Sequence, residues 1–356
     1  MPNFFIPPID FQNTNKLQLF VLTRPFYKET GWCNEAEVKQ KWGVGSLYDY
    51  TNQLEEAALL LIPLPINQYI KNKQLQELRA LNAYCVAQNI NGYGYISGDF
   101  GQAYPEFSNL VYFRMGGFRR QLSAKNCGFP VSLSDHFQKL YGLENPVPRQ
   151  KTTKPLIGFC GHATNSKTKR VKELVKCLLE NGKRFLQNPL RKDWEPLFAS
   201  AYERWHLLQL LEQSSALDCR FIYREKYRGG AKSIEVQATT TNEYYDNLYN
   251  TDYVLCVRGA GNFSVRFYEA LLMGKIPIFV NTDCLLPLDD EIDWKRQVVW
   301  VEWEERNLIA KKVLQFHQQL SKEDFFNLQL RNRNIWQDKL SVVSYFNKLT
   351  INFIGL

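Results

Sequence analysis

The eight cysteines, at positions 33, 85, 127, 160, 177, 219, 256 and 284, include no Cys-x-x-Cys pair. That absence removes the common zinc modules from consideration, and the scatter argues against a disulfide framework. Several sit inside apolar runs, as Cys256 does in YVLCV, and read as reduced core residues. Nor is there a run of about 18 apolar residues, so no helix is expected to cross a bilayer. The longest apolar stretch, AALLLIPLPI, is broken by Pro63 and Pro65. The amino-terminal MPNFFIPPIDFQ has no basic region followed by an apolar one, so no signal peptide is expected. The excess of one sign of charge is small too. Lysine and arginine exceed the acids by 2 in residues 1–150 and by 6 in the remainder, a net +8. Without a basic stripe or a recognised motif, that excess does not point to nucleic acid. It suits a small phosphate-bearing ligand.

At 356 residues the chain is long for one core, and two domains are expected. Short apolar runs alternate with helical patterns, the mark of α/β layers with parallel strands. In the first half the expected strands are Leu17–Leu22, Ala58–Ile62, Tyr93–Ile96 and Asn109–Phe113. A helix is expected over KNKQLQELRALNAYCVAQN. ENPVPRQKTTKP, residues 144–155, reads as a linker between a domain at 1–150 and one at 151–320. The second domain opens with a strand at Leu156–Cys160 and a helix carrying Val171, Leu174, Val175, Leu178 and Leu179. Asn181-Gly182 is expected to end that helix. Further strands are expected at Phe221–Tyr223, Tyr253–Val257, Ile276–Val280 and Gln297–Val301. From Ser321, with Asp324 as its capping partner, one long helix is expected to occupy the terminal segment 321–356 and pack back on the first domain. Parallel sheets of this kind bind ligands beyond the carboxyl ends of their strands, so two of them would face each other across a cleft.

One segment concentrates the chemistry: YVLCVRGAGNFSVRFYEALLMGKIPIFV, residues 253–280. Its glycines do not make a dinucleotide fingerprint, because Ser264 stands where GxGxxG needs a third glycine. The lysine and hydroxyl residue that close a P-loop are missing as well. The segment fits a helix amino terminus facing a diphosphate. Gly259 and Gly261 would allow a tight turn and close approach of the backbone. Amides near Asn262–Val265 would point at the anion, and Arg258 and Arg266 could hold phosphate oxygens bidentately. Glu269, one turn below Arg266, could accept bonds from both ribose hydroxyls. The same spacing also suits an exposed ion pair between Arg266 and Glu269.

The segment resembles the exostosin family of glycosyltransferases, sugar-transferase family 47. The resemblance rests on Arg258-Gly259, Ser264-Val265-Arg266-Phe267, Tyr268-Glu269-Ala270-Leu271, Gly274-Lys275-Ile276-Pro277-Ile278, Leu286-Pro287-Leu288 and Ile292-Asp293-Trp294. About 40 residues keep the order and spacing of the family signature. EEAALLLIPLP, FPVSLSDH and LIGFCGHATNSKTKR are weaker echoes upstream. The resemblance implies an α/β fold of the GT-B type, with two Rossmann-like domains and the nucleotide-sugar held by the second. It implies an inverting transfer without an essential metal or other cofactor, from a donor that in most members is a uridine diphosphate sugar. It places Glu269 on the ribose, Arg258 and Arg266 on the pyrophosphate, and Ser264 beside them. With no metal, the leaving diphosphate needs cationic help; Lys167, Arg170 and His162, after the Leu156–Cys160 strand, are the further candidates.

An inverting transfer needs a base on the acceptor side. Asp99, Asp135 and His136 are the candidates. GYGYISGDFG is similar to a glycine-rich family segment ending Gly-Arg-Asp-His, although Gly98 and Phe100 replace the arginine and histidine. The expected partners are a nucleotide-sugar and a glycan acceptor, whether oligosaccharide, lipid-linked glycan or glycoprotein. The expected setting is cytoplasmic, at a membrane periphery. A guanosine diphosphate sugar, as in fucosyltransferase-like enzymes, and a glycan-binding member without activity remain as alternatives.

Overall fold

The structure, a computed structural model, describes residues 3–34, 36–37, 49–50, 54–225 and 233–352. Two parallel sheets organise it. The first draws on β1 (Asn3–Phe5), β2 (Asp49–Tyr50), β3 (Leu59–Leu61), β4 (Asn91–Tyr95), β5 (Leu110–Arg114) and β6 (Asn126–Gly128). Their order across the sheet is β2-β1-β3-β4-β5-β6. The second contains β7 (Leu156–His162), β8 (Asp218–Arg224), β9 (Tyr253–Cys256), β10 (Ile276–Asn281) and β11 (Val299–Glu302), ordered β8-β7-β9-β10-β11. This is the two-domain, GT-B-like α/β arrangement expected.

The second sheet shows why its strands are apolar throughout. Successive side chains leave a strand on opposite faces, and helices cover both faces here. Tyr253, Leu255, Ile276, Ile278, Val299 and Val301 enter one core, where α4 (Ser200–Glu212) contributes Leu207, Leu208 and Leu211 and α7 (Ile309–Gln319) contributes Ile309 and Val313. Val254, Cys256 and Phe279 enter the other, with Phe267, Ala270, Leu271 and Leu272 of a later helix. All eight cysteines are free thiols. The first sheet is divided in the same way: Phe4, Leu59, Leu61, Tyr93 and Phe113 pack on one side, Leu60, Ile62, Leu110 and Tyr112 on the other. Helix α1 (Leu75–Ala87) covers the latter side through Leu78 and Cys85, where a helix was expected.

Several elements differ from expectation. Leu17–Leu22 is not a strand. Asn15 caps a single 3₁₀ turn at Lys16–Gln18, and Leu19, Phe20 and Leu22 drop into the core while Leu17 stays exposed. Helix α2 (His136–Tyr141) belongs by sequence to the first half, yet its Phe137 packs into the second domain's core beside Tyr245 and Leu248. Helix α3 (Lys167–Gln187) runs past Asn181-Gly182. The terminal segment is not one helix. α8 (Lys322–Ile335), which begins with the Ser321–Asp324 capping box, passes into a π-turn at Trp336–Leu340. Ser341 then turns to an extended conformation before α9 (Val342–Asn352). Tyr345 and Phe346 of α9 join the core of the first sheet; residues 353–356 lie outside the described ones.

Candidate donor site

Strand order identifies the place before any side chain does. β8 lies to one side of β7 and β9 to the other, so the chain reverses its direction of winding between β7 and β9. Crevices at such switch points, beyond the carboxyl ends of the strands, are where open α/β sheets take ligands. β7 ends there in His162, and β9 leads there into the Arg258–Ser264 turn and helix α6 (Val265–Leu272).

Glu269 lies on α6, half-buried, and accepts hydrogen bonds from the phenols of Tyr244 and Tyr245, the latter at 3.3 Å. Both tyrosines belong to α5 (Ile234–Tyr249). Burial first, then the Glu269 charge, push both phenols up, so each remains a donor to the carboxylate. Arg266, one turn above, sends one Nη to the carbonyl of Cys160 at 2.9 Å and stacks over Phe159 at 4.3 Å. Its Nε has no hydrogen-bond partner among the described residues. Ser264 caps α6 by position only, since its side chain makes no bond to the first turn. It faces inward instead, onto a small internal cavity of about 10 Å³ with Phe267, Tyr268 and Cys284. A Cβ built on Gly259 would meet nothing within 4 Å, so this side of the turn is open.

The remaining expected donor residues divide. Arg258 does not face the crevice. It is 2% exposed, bonds Glu195 at 2.6 Å and the carbonyl of Ala260 at 2.9 Å, and stacks on Phe198 at 4.8 Å. Asn262 is likewise buried and structural: its amide nitrogen bonds the carbonyls of Gly117, Thr282 and Asp283 at 2.9–3.0 Å. Gly261 serves a close approach, but of protein, since a Cβ there would lie 2.3 Å from the Asp99 carbonyl oxygen. His162 stands at the switch point with its Nε2 unpartnered among the described residues, and its pKa is lowered by burial and then by Arg204. Arg170 lies over the Tyr202 ring at 4.3 Å, and Lys167 is exposed in the first turn of α3.

The three candidate bases separate as clearly. Asp135 is committed twice, capping α2 through the Gln138 amide at 3.1 Å and pairing with Arg333 at 2.5 Å. His136 opens α2 and is half-buried, its ring stacked on Tyr245 of the second domain at 4.8 Å. Burial, helped by Lys139, lowers its pKa. It stands beside Tyr245, on the Glu269 side of the crevice and not across from it. Asp99 is exposed, and its backbone carbonyl is wedged between Gly116 and Gly261. That carbonyl puts Asp99 of the first domain against the turn that precedes α6.

Sequence reasoning missed Tyr244, Tyr245 and Glu195. The tyrosines carry a signal, two aromatics side by side in NEYYDNLY one helix before the key strand. Glu195 carries none.

Residues 198–315 match the family model of the Exostosin GT47 domain. Over that stretch, about a third of its length, the chain is similar to the exostosin domain. The matched stretch of that domain takes in α4, α5 and α6 with β8–β11, hence Arg258, Arg266, Glu269 and both tyrosines, while His162 and α3 precede it. Over 95 residues the chain is 32% identical to Exostosin-1 of Drosophila melanogaster, covering 27% of this chain and 12% of that protein. It is 34% identical over 58 residues to a protein of Oryza sativa named probable glucuronosyltransferase GUT1, covering 16% and 14%. Over 59 residues it is 34% identical to one of Arabidopsis thaliana named probable beta-1,4-xylosyltransferase IRX10L, covering 17% and 14%. The chain thus spans only 12–14% of the length of these relatives.

Proposed function

We propose that this chain is a glycosyltransferase that moves a sugar from a nucleoside diphosphate donor, a uridine diphosphate sugar, to a hydroxyl of a glycan acceptor with inversion and without a metal. The observation that carries this reading is Glu269, held by Tyr244 and Tyr245 one turn below the start of α6 at the switch point of the sheet. The match to the exostosin domain over the same residues and the names of the sugar-transferring relatives support it.

Glu269 accepts the ribose hydroxyls. The first amides of α6 and the Arg266 guanidinium stabilise the pyrophosphate as its bond to the sugar breaks. His162, Lys167 and Arg170 add positive or hydrogen-bonding groups from the β7 side. Arg258 is a positioning residue here: its bond to the Ala260 carbonyl fixes the turn that presents the amides. Asp99 takes the proton from the acceptor hydroxyl as that oxygen attacks the anomeric carbon, and the nucleoside diphosphate leaves from the opposite face.

Calorimetric titration of uridine and guanosine diphosphates with a chelator present tests this. Uridine diphosphate should bind the wild type and lose binding in Glu269→Gln, with the melting temperature nearly unchanged. Asp99→Asn should keep nucleotide binding and lose transfer. Unchanged binding in Glu269→Gln would sink the ribose assignment, and binding that needs Mg²⁺ would sink metal independence. Preference for guanosine diphosphate would move the donor to the other nucleotide class.

A further inference from the structure

Helix α3 leaves a large apolar face uncovered. Val171, Val175, Leu178, Leu179, Phe185 and Leu186 are all exposed, Leu186 at 85%, Leu179 at 61% and Leu178 at 55%. Positions 171, 175, 178, 182 and 185 recur at spacings of four and three, so they form one stripe along the helix. The inward side is different: Cys177 and Arg184 are buried. Lys172, Lys176 and Lys183, also exposed, are spaced by four and seven and form a second row on the outer side, apart from the apolar one.

The charge on this helix is one-sided. Lys167–Gln187 holds seven lysines and arginines against two glutamates. Both glutamates are engaged on the inner side: Glu180 holds Arg184 at 3.1 Å, and Glu173 accepts from the Ala201 amide at 3.1 Å and lies 3.4 Å from the Ser200 hydroxyl. The outer side therefore presents an apolar stripe beside a lysine row with no engaged acid of its own.

We infer that α3 seats this protein on an anionic lipid surface, with the apolar stripe entering the headgroup boundary and the lysine row on the phosphates. An exposed helix with large apolar residues on one side and lysines on the other is the form that lies in a membrane interface. Lysines near such a surface are drawn to its negative potential. A second copy of the chain fits this face less well, because a two-fold pair would line lysine row against lysine row without a carboxylate between them. The helix starts five residues after His162, at the ligand end of β7, so the seat adjoins the candidate donor site. The inference stands apart from the assigned reaction.

The test is co-sedimentation of the full chain with vesicles of phosphatidylcholine alone and of phosphatidylcholine mixed with phosphatidylglycerol. The wild type should bind only the mixed vesicles, less tightly as salt rises. Lys172→Gln/Lys176→Gln/Lys183→Gln should weaken binding by on the order of a hundredfold. Leu178→Asp/Phe185→Asp should abolish it, with nucleotide binding and melting temperature unchanged in both variants. Equal binding to neutral vesicles overturns the charge match. No binding to either vesicle overturns the inference outright, and a dimer by sedimentation velocity that Leu178→Asp/Phe185→Asp breaks would assign the face to a second copy.

Discussion

Arg258 and Glu269 stand eleven residues apart and meet opposite fates. Glu269 keeps a half-buried carboxylate at the crevice, whereas Arg258 is neutralised in the interior by Glu195, itself 2% exposed. Glu195 also lies 3.5 Å from Arg184, so one carboxylate balances two buried guanidinium groups. Removing its charge leaves Arg258 without its counter-ion and Arg184 with Glu180 alone, and breaking such a buried pair costs about 3–5 kcal/mol. Glu195→Gln should therefore lower the urea midpoint strongly, and it should weaken nucleotide binding by loosening the Arg258 turn. A midpoint within error of the wild type would show that the carboxylate does not hold this network. The residue types of the site were legible because their spacing on α6 is local: Arg266 and Glu269 needed only the helical repeat. The partner of Arg258 comes from a chain position 63 residues upstream, and no local pattern carries that. The same holds for Asp135, whose partner is Arg333.

At the scale of elements, buried strands were read well and boundaries less so. YVLCV and IPIFV are apolar at every position because helices cover both faces, and they fall on β9 and β10. LQLFVL has a similar composition yet forms turns, since Asn15 caps a 3₁₀ turn at its start and Thr23 bonds back to the Phe20 carbonyl. Asn181-Gly182 failed as a stop for a tertiary reason. The Asn181 side chain bonds both the amide and the carbonyl of Glu195 at 2.8 Å, and Arg184 is buried one turn later, so packing carries α3 over the glycine. Gly182 contributes nothing to that packing; a Cβ there would meet nothing within 4 Å. Gly182→Ala should stabilise the protein by about 0.5–1 kcal/mol, by lowering the freedom of the unfolded chain and raising helix propensity. Thermal melting would register this as a higher midpoint. A lower midpoint would mean that the glycine relieves a bend the geometry does not reveal.

The whole molecule is joined along a seam that the two-domain expectation did not describe. The segment Gly116–Arg120 of the first half runs against Asn262 and Thr282–Cys284 of the second. The Arg119 and Arg120 amides bond Asp283 at 3.0 and 3.1 Å, and Phe118 pairs with Cys284 as an isolated bridge. Elsewhere Asp193 accepts from the Ala103 amide at 2.6 Å, and the Tyr345 phenol reaches the Gly128 carbonyl at 3.1 Å. Most of these are bonds to backbone, so side-chain identity gives little sign of them in the sequence. Surface ion pairs add little, as between Arg120, largely exposed, and Asp283. The tightest point is Gly261, where the Asp99 carbonyl fills the place of a side chain. That contact fixes the distance between the proposed base and the donor turn, so its disturbance should affect transfer more than either fold. In Gly261→Ala the new methyl group meets backbone oxygen, which has no flexible side chain to move aside, and the halves must part locally. Far-ultraviolet circular dichroism and uridine diphosphate binding should persist, while sugar transfer falls by at least about tenfold, as misplacement by an ångström does in other enzymes. Amide exchange at Arg119 and Arg120 should rise in the same variant. Transfer at the wild-type rate together with faster exchange would separate the seam from the chemistry, and would count against Asp99 as the base.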